Sequence, residues 1–204
     1  MPSYALRLGG RDLSLNPDDF FRYATAIGAI GVDAILLLIV LLIARGTPLR
    51  ETFALRAPTS WRRAAVIGLV TLVVAYAISF LEVGLVSGAG REQAVPEFWD
   101  PTRVGPWLAN LFAIAVFVPI FEEALCRGLG YALFEPLGPM VAVGITAAAF
   151  TLAHGVIVDI PVILATGLGL GYMRMATRSI FPCLALHGFF NGFGLIVAAL
   201  VARG

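Results

Sequence analysis

The sequence predicts an all-α, polytopic transmembrane helix bundle of about six helices, and three observations predict it. Of 204 residues, 59% are hydrophobic and only 13% charged, with a mean hydropathy of +0.91. A soluble domain has to cover its core with polar surface, and this chain has too few ionisable side chains to do so. The apolar residues are gathered into six runs with the length of bilayer helices or their cores, at roughly 20–45, 61–86, 106–134, 139–157, 161–174 and 180–202. The net charge is +1 with no lysine at all, so nothing supplies the basic footprint that nucleic acid requires.

Residues 1–19 form a polar N-terminal segment that contains Arg7, Arg11, Asp12, Asp18 and Asp19 but no apolar core. A cleaved signal peptide is therefore not expected, and the first apolar helix does the targeting. Asn16-Pro17-Asp18-Asp19 reads as an N-cap, a proline at the first helical position and acids in the first turn, so the first helix is expected to begin there. Residues 20–204 form a single transmembrane domain. The loop between the first two helices holds Arg45, Arg50, Arg56, Arg62 and Arg63 against Glu51, which marks it as cytoplasmic. The next loop mixes Arg91 and Arg103 with Glu92, Glu97 and Asp100, and belongs on the opposite side. Alternation returns the Glu135–Gly138 turn and the Arg174/Arg178 loop to the inside and leaves both termini outside. The fifth run is short enough to be tilted, partial or re-entrant. Trp61 and Trp107 fall at segment ends as interface anchors, and Glu82 is expected to snorkel to the outer interface. Gly167 and Gly171 form a small-xxx-small packing face; with Gly169 they are no phosphate loop, because no strand and no lysine accompany them.

Ionisable side chains at bilayer depth cost a few kcal/mol or more, so a concentrated set of them marks an interior that does something. The third run contains Phe121-Glu122-Glu123-Ala124-Leu125-Cys126-Arg127, the fourth Phe150-Thr151-Leu152-Ala153-His154, and the sixth His187-Gly188-Phe189-Phe190-Asn191. His154 and His187 are the two histidines of the chain. At about 1.5 Å per helical residue, Glu122 lies roughly 18 Å before the turn near Phe134 and His154 roughly 22 Å after it, while His187 and Asn191 lie roughly 12 and 18 Å from Ser179. Polar groups from three helices thus share a layer. His187 and Asn191 are four apart and share a face, as do Glu123 and Arg127, whereas Glu122 is turned about 100° from Glu123. One glutamate can face a cavity while the other pairs with Arg127. Pro119, three residues earlier, removes a helix hydrogen bond and leaves a carbonyl free near the acids.

A buried glutamate beside a histidine can activate water, and a histidine with an asparagine amide can hold an oxyanion. That set suffices for peptide-bond hydrolysis without a serine or cysteine nucleophile. Four alternatives remain open on the residues alone. His154, His187 and a glutamate could bind zinc, although no HExxH is present. Cys126 could be a nucleophile, although a small packing residue fits it better, as it does Cys183. The layer could be a proton relay, or the protein a non-catalytic immunity or scaffold protein. Asp33, at similar depth, is expected to make a helix–helix hydrogen bond.

EEALCR, FTLAH and HGFFN resemble the ordered signatures EExxxR, FxxxH and HxxxN of the CAAX prenyl protease and bacteriocin-processing (CPBP, or Abi) family of intramembrane glutamate-type endopeptidases. The resemblance covers about residues 106–202, the expected peptidase core. It implies that Glu122 and His154 activate the water, that His187 and Asn191 form the oxyanion hole, and that Glu123 and Arg127 match the remaining motif positions. On the spacing above, these two are taken as an ion pair that orients Glu122. It also implies a membrane-associated peptide or protein substrate, prenylated or C-terminally anchored, in the lipid bilayer of a prokaryotic cell membrane. No cofactor or metal is expected. The site is expected to open toward the cytoplasmic half.

Overall fold

The structure, a computed structural model, describes residues 16–86 and 98–201, and within these it is helical without strands. Arg7, Arg11 and Asp12 of the N-terminal segment, and Arg91, Glu92 and Glu97, used above for orientation, lie outside the described residues. The long helices are α1 (Tyr23–Ile43), α2 (Trp61–Leu85), α3 (Val104–Leu137), α4 (Pro139–Ala153), α5 (Ile160–Thr177) and α6 (Phe181–Val201). Five of them are long and apolar enough to cross a membrane; α4, with 15 residues and about 22 Å, is the shorter apolar one. The short span is therefore fourth in order, not fifth. α4 stops at a turn in which Gly155 has φ +68°, whereas α5 runs on to Thr177, beyond the expected end at 174.

Polarity runs opposite to that of a soluble protein. Ile27, Val66, Phe80, Leu85 and Leu200 are exposed, while Asn110, Glu123, Arg127, Thr151, Arg174 and His187 are buried. With lipid outside, exposed apolar residues cost nothing, and the polar groups turn inward to find partners. Thr71, Thr146, Thr151, Thr166 and Thr177 each donate to the carbonyl four residues back, at 2.7–2.9 Å. The chain is an integral membrane helix bundle.

α5 packs against both α4 and α2, and its glycines let it. A Cβ on Gly167 would lie 3.4 Å from Ala147 Cα, and one on Gly171 would lie 3.1 Å from Val143 Cγ1, both on α4. Gly169 faces the other way, and a Cβ there would collide with Thr71 of α2. The expected small-residue face is thus present, and Gly169 adds a second one.

Asn16 caps as expected, accepting from the Asp18 N–H at 3.0 Å, but it caps a separate 3-10 turn, Pro17–Phe21. Arg22 is extended, and α1 begins only at Tyr23. Tertiary contact explains the break: Asn110 of α3 donates to the carbonyls of Phe20 and Arg22 at 3.0 Å, and Phe20 and Phe21 pack with Trp107 and Leu195. Trp107 is consequently buried in that cluster, edge-on to Trp99, and not an interface anchor; Trp61 is exposed at the start of α2. At the opposite end of the bundle the α1–α2 connection is tied to the α5–α6 turn. Thr59 N–H donates to Thr177 O at 3.0 Å, and Arg56 Nε donates to Arg178 O at 2.8 Å.

Candidate active site

α3 is irregular where the acids stand. Two π-helical stretches, Ala113–Phe117 and Ala124–Gly130, bracket the α-helical Val118–Glu123. The Val118 N–H reaches back five residues to Ala113 O, and Pro119, having no N–H, cannot continue the pattern to Ile114. The Ile114 carbonyl freed in this way accepts from Asn191 Nδ2 at 3.1 Å. The carbonyl expected from Pro119 thus serves to seat the α6 asparagine. α6 lies directly on this wide turn: a Cβ at Gly188 would run into Ala115 O, and one at Gly192 would stand 3.1 Å from Ala115 Cβ.

Glu123 and Arg127 are both fully buried and 2.9 Å apart. Arg127 also donates to Gly167 O at 2.9 Å, and its guanidinium lies 4.5 Å above the Phe150 ring. The second oxygen-facing partner of Glu123 is His187, whose Nδ1 sits 2.8 Å from the same Oε1. On the other side of that imidazole, Nε2 lies 3.4 Å from Glu122 Oε2. The sequence has the ion pair orient Glu122; in the structure the pair holds His187. The cause is helical phase. Glu123 points into the bundle, whereas Glu122, about 100° around, keeps 24% of its side chain exposed. Asp33 of α1 is close enough to Glu122 for their charges to interact.

His154 closes α4 and places Nδ1 2.8 Å from Phe150 O. A carbonyl can only accept, so Nδ1 carries the proton and, in the neutral ring, Nε2 carries the lone pair. Phe150 stacks edge-on against His154 at 4.6 Å and His187 at 5.6 Å between ring centroids. It is the common neighbour of both histidines and Arg127. The FTLAH segment contains it, and its position one turn before His154 is the signal that could have marked it as more than core.

His154, His187, Asn191 and Phe150 line one cavity of about 170 Å³, together with Ser79 and Asp159. Ser79 lies in the last third of α2 and Asp159 just before α5, at the end of the bundle opposite Arg56 and Arg178. The cavity thus lies away from the arginine-rich half toward which the sequence has it open, because α4 has carried His154 about 22 Å from the Glu135–Gly138 turn. Glu82 is drawn to the same end. Its Oε1 is buried and its carboxylate lies near Val162 at the start of α5, where unpaired N–H groups attract an acid, so it turns inward instead of snorkelling.

Cys126 packs among Ala75, Phe150, Val156 and Val162, and Cys183 donates to Leu170 O. Among the described residues, no group of three or more His, Cys, Asp or Glu side chains is arranged to hold a metal ion. Residues 104–193 match the family model described as Type II CAAX prenyl endopeptidase Rce1-like. No curated protein and no solved structure matches the chain.

Proposed function

We propose that this chain, whose residues 104–193 match the family model of Rce1-like CAAX prenyl endopeptidases, cleaves a membrane-anchored peptide within the bilayer by direct attack of water. The observation that carries this reading is the continuous chain Arg127–Glu123–His187–Glu122, whose His187 lines the cavity together with His154 and Asn191.

Water is held between Glu122 and His154. With its Nδ1 proton committed to Phe150 O, His154 has Nε2 free to accept hydrogen from that water, and the Glu122 carboxylate takes the developing proton. The hydroxide oxygen bonds to the scissile carbonyl carbon, the carbonyl π electrons move to oxygen, and the collapse of this adduct expels the amine, which receives the proton held by Glu122. The oxyanion is met by His187 and by the second N–H of Asn191, the first being committed to Ile114 O. Glu123, balanced by Arg127, accepts from Nδ1 and stabilises the imidazolium whose Nε2–H faces the reaction. At rest that N–H faces Glu122; substrate takes its place as Glu122 turns to the water.

The test uses the purified protein in bilayers with a membrane-peptide library that includes prenylated CAAX peptides. Wild type, Glu122→Gln and His154→Ala are run in parallel, each with and without chelator. Cleavage is expected in wild type, indifferent to chelator, and absent in both variants while they remain folded. Turnover in folded Glu122→Gln would overturn the assignment. Activity lost to chelator and restored by zinc would replace it with a zinc site on His154, His187 and a glutamate.

A further inference from the structure

A second cavity, about 470 Å³, lies at the arginine-rich end, some distance along α5 from the peptidase site. Its polar lining comes from three separate places in the chain: Glu51 and Arg56 before α2, Tyr131 and Glu135 at the end of α3, and Arg174 and Arg178 at the end of α5. Arg174 is the informative one. It is only 4% exposed, its Nε donates to Arg127 O at 3.0 Å, and its guanidinium lies 4.6 Å over the Tyr131 ring. The guanidinium is fixed by those two contacts, and among the described residues no carboxylate lies within ion-pair distance of its terminal nitrogens. Arg56 is fixed likewise, by Nε to Arg178 O at 2.8 Å. Glu51 and Glu135 line the cavity without pairing with any of the three arginines.

We infer that this cavity binds the phosphate of an anionic phospholipid headgroup. Three guanidiniums around one space, two of them held in place beforehand, suit the tetrahedral oxygens of a phosphate, which fork geometry engages two at a time. The position suits a lipid: the cavity is at the turns that join the membrane helices, where headgroups lie, and Leu133, Leu137 and Met140 beside it are exposed to take acyl chains. Glu51 and Glu135 leave the lining with a small positive excess and can accept from headgroup hydroxyls, as a glycerol headgroup offers. The ligand would bear on the reaction centre through one residue, because Arg174 holds the backbone carbonyl of Arg127, whose side chain holds Glu123.

The experiment places the full chain in vesicles of phosphatidylcholine, of phosphatidylcholine with one fifth phosphatidylglycerol, and of phosphatidylcholine with soluble glycerol phosphate. Unfolding temperature and the immobilised fraction of a spin-labelled phosphatidylglycerol are both read, and neither depends on peptide cleavage. Wild type is expected to gain about 3 °C in the phosphatidylglycerol vesicles and to immobilise the label. Arg178→Gln removes a lining charge without touching the Arg174–Arg127 contact; it is expected to lose both effects while unfolding at the wild-type temperature in phosphatidylcholine. A full shift retained in Arg178→Gln, an equal shift with soluble glycerol phosphate, or no shift in wild type would each overturn the proposal. Should Arg178→Gln not fold, the wild-type comparison of lipid with soluble glycerol phosphate decides alone.

Discussion

Glu123 accepts from two cationic or polarised donors at once, and both it and Arg127 are removed from water. Removing one member leaves a buried charge without its partner, which costs about 3–5 kcal/mol. Arg127→Gln is therefore expected to lower the unfolding temperature sharply, and circular dichroism melts in detergent check it. Asn191→Ala acts differently. It removes an amide that bonds one carbonyl and leaves a second N–H for the oxyanion, so kcat is expected to fall about 10²–10³-fold with little change in helicity. A scaffold or relay would tolerate that change. Phe150 was visible in the sequence only as the first letter of a motif. Its contacts with His154, His187 and Arg127 come from three helices and cannot be read from one.

Elements, too, carry information that a run of apolar residues conceals. The two π stretches of α3 keep the helix continuous while changing its phase, so that Glu123 and Arg127 face inward and α6 can sit on the Ile114 and Ala115 carbonyls. Pro119 announced a perturbation in the sequence. Whether it would be a kink or a widened turn depended on α6 being there to use the free carbonyl. Gly188 is the element-scale test: Gly188→Ala places a methyl against the Ala115 backbone oxygen, which cannot swing away. A loss of about 1–3 kcal/mol in stability is expected, together with reduced cleavage because His187 is the preceding residue. Gly194, with open space around its Cβ position, is the control on the same helix, and Gly194→Ala should leave both unchanged.

At the scale of the molecule, the two ends of the bundle are built differently. The arginine-rich end is tied by backbone and guanidinium hydrogen bonds between loops, and the opposite end by an aromatic cluster with an exposed ionic clasp. In that clasp Arg103 bonds Asp18 at 2.6 Å and also bonds Asp100. Hydrogen bonds from Thr102 and then Arg103 hold the Asp100 carboxyl down at about 2, and bonds from Arg103 and then Arg22 lower that of Asp18. Both are depressed relative to an unfolded value near about 4, so their contribution is present above that pH and is lost as pH falls toward about 2. The fluorescence of Trp99 and Trp107 is expected to stay constant from neutral pH to about 4 and to change below it. Arg103→Gln should shift that change upward in pH.

The sequence by itself determined that the chain is a membrane-embedded helix bundle and which residues crowd its polar layer. Both follow from composition and from spacing along single helices, because the bilayer dictates helix length and charges any unpaired polar group heavily. Glu122, Glu123, Arg127, His154, His187 and Asn191 were all legible in that way. Only the tertiary structure decided how they are paired. His187, not Glu122, is the group that the Glu123–Arg127 pair holds; the fourth helix is the short one; and the cavity lies at the end away from the arginines. Each of these depends on the rotation and axial offset of one helix against another. Those are set by where glycines permit close approach and by which carbonyls a π turn or a proline leaves free, quantities that become definite only once the neighbouring helix is in place.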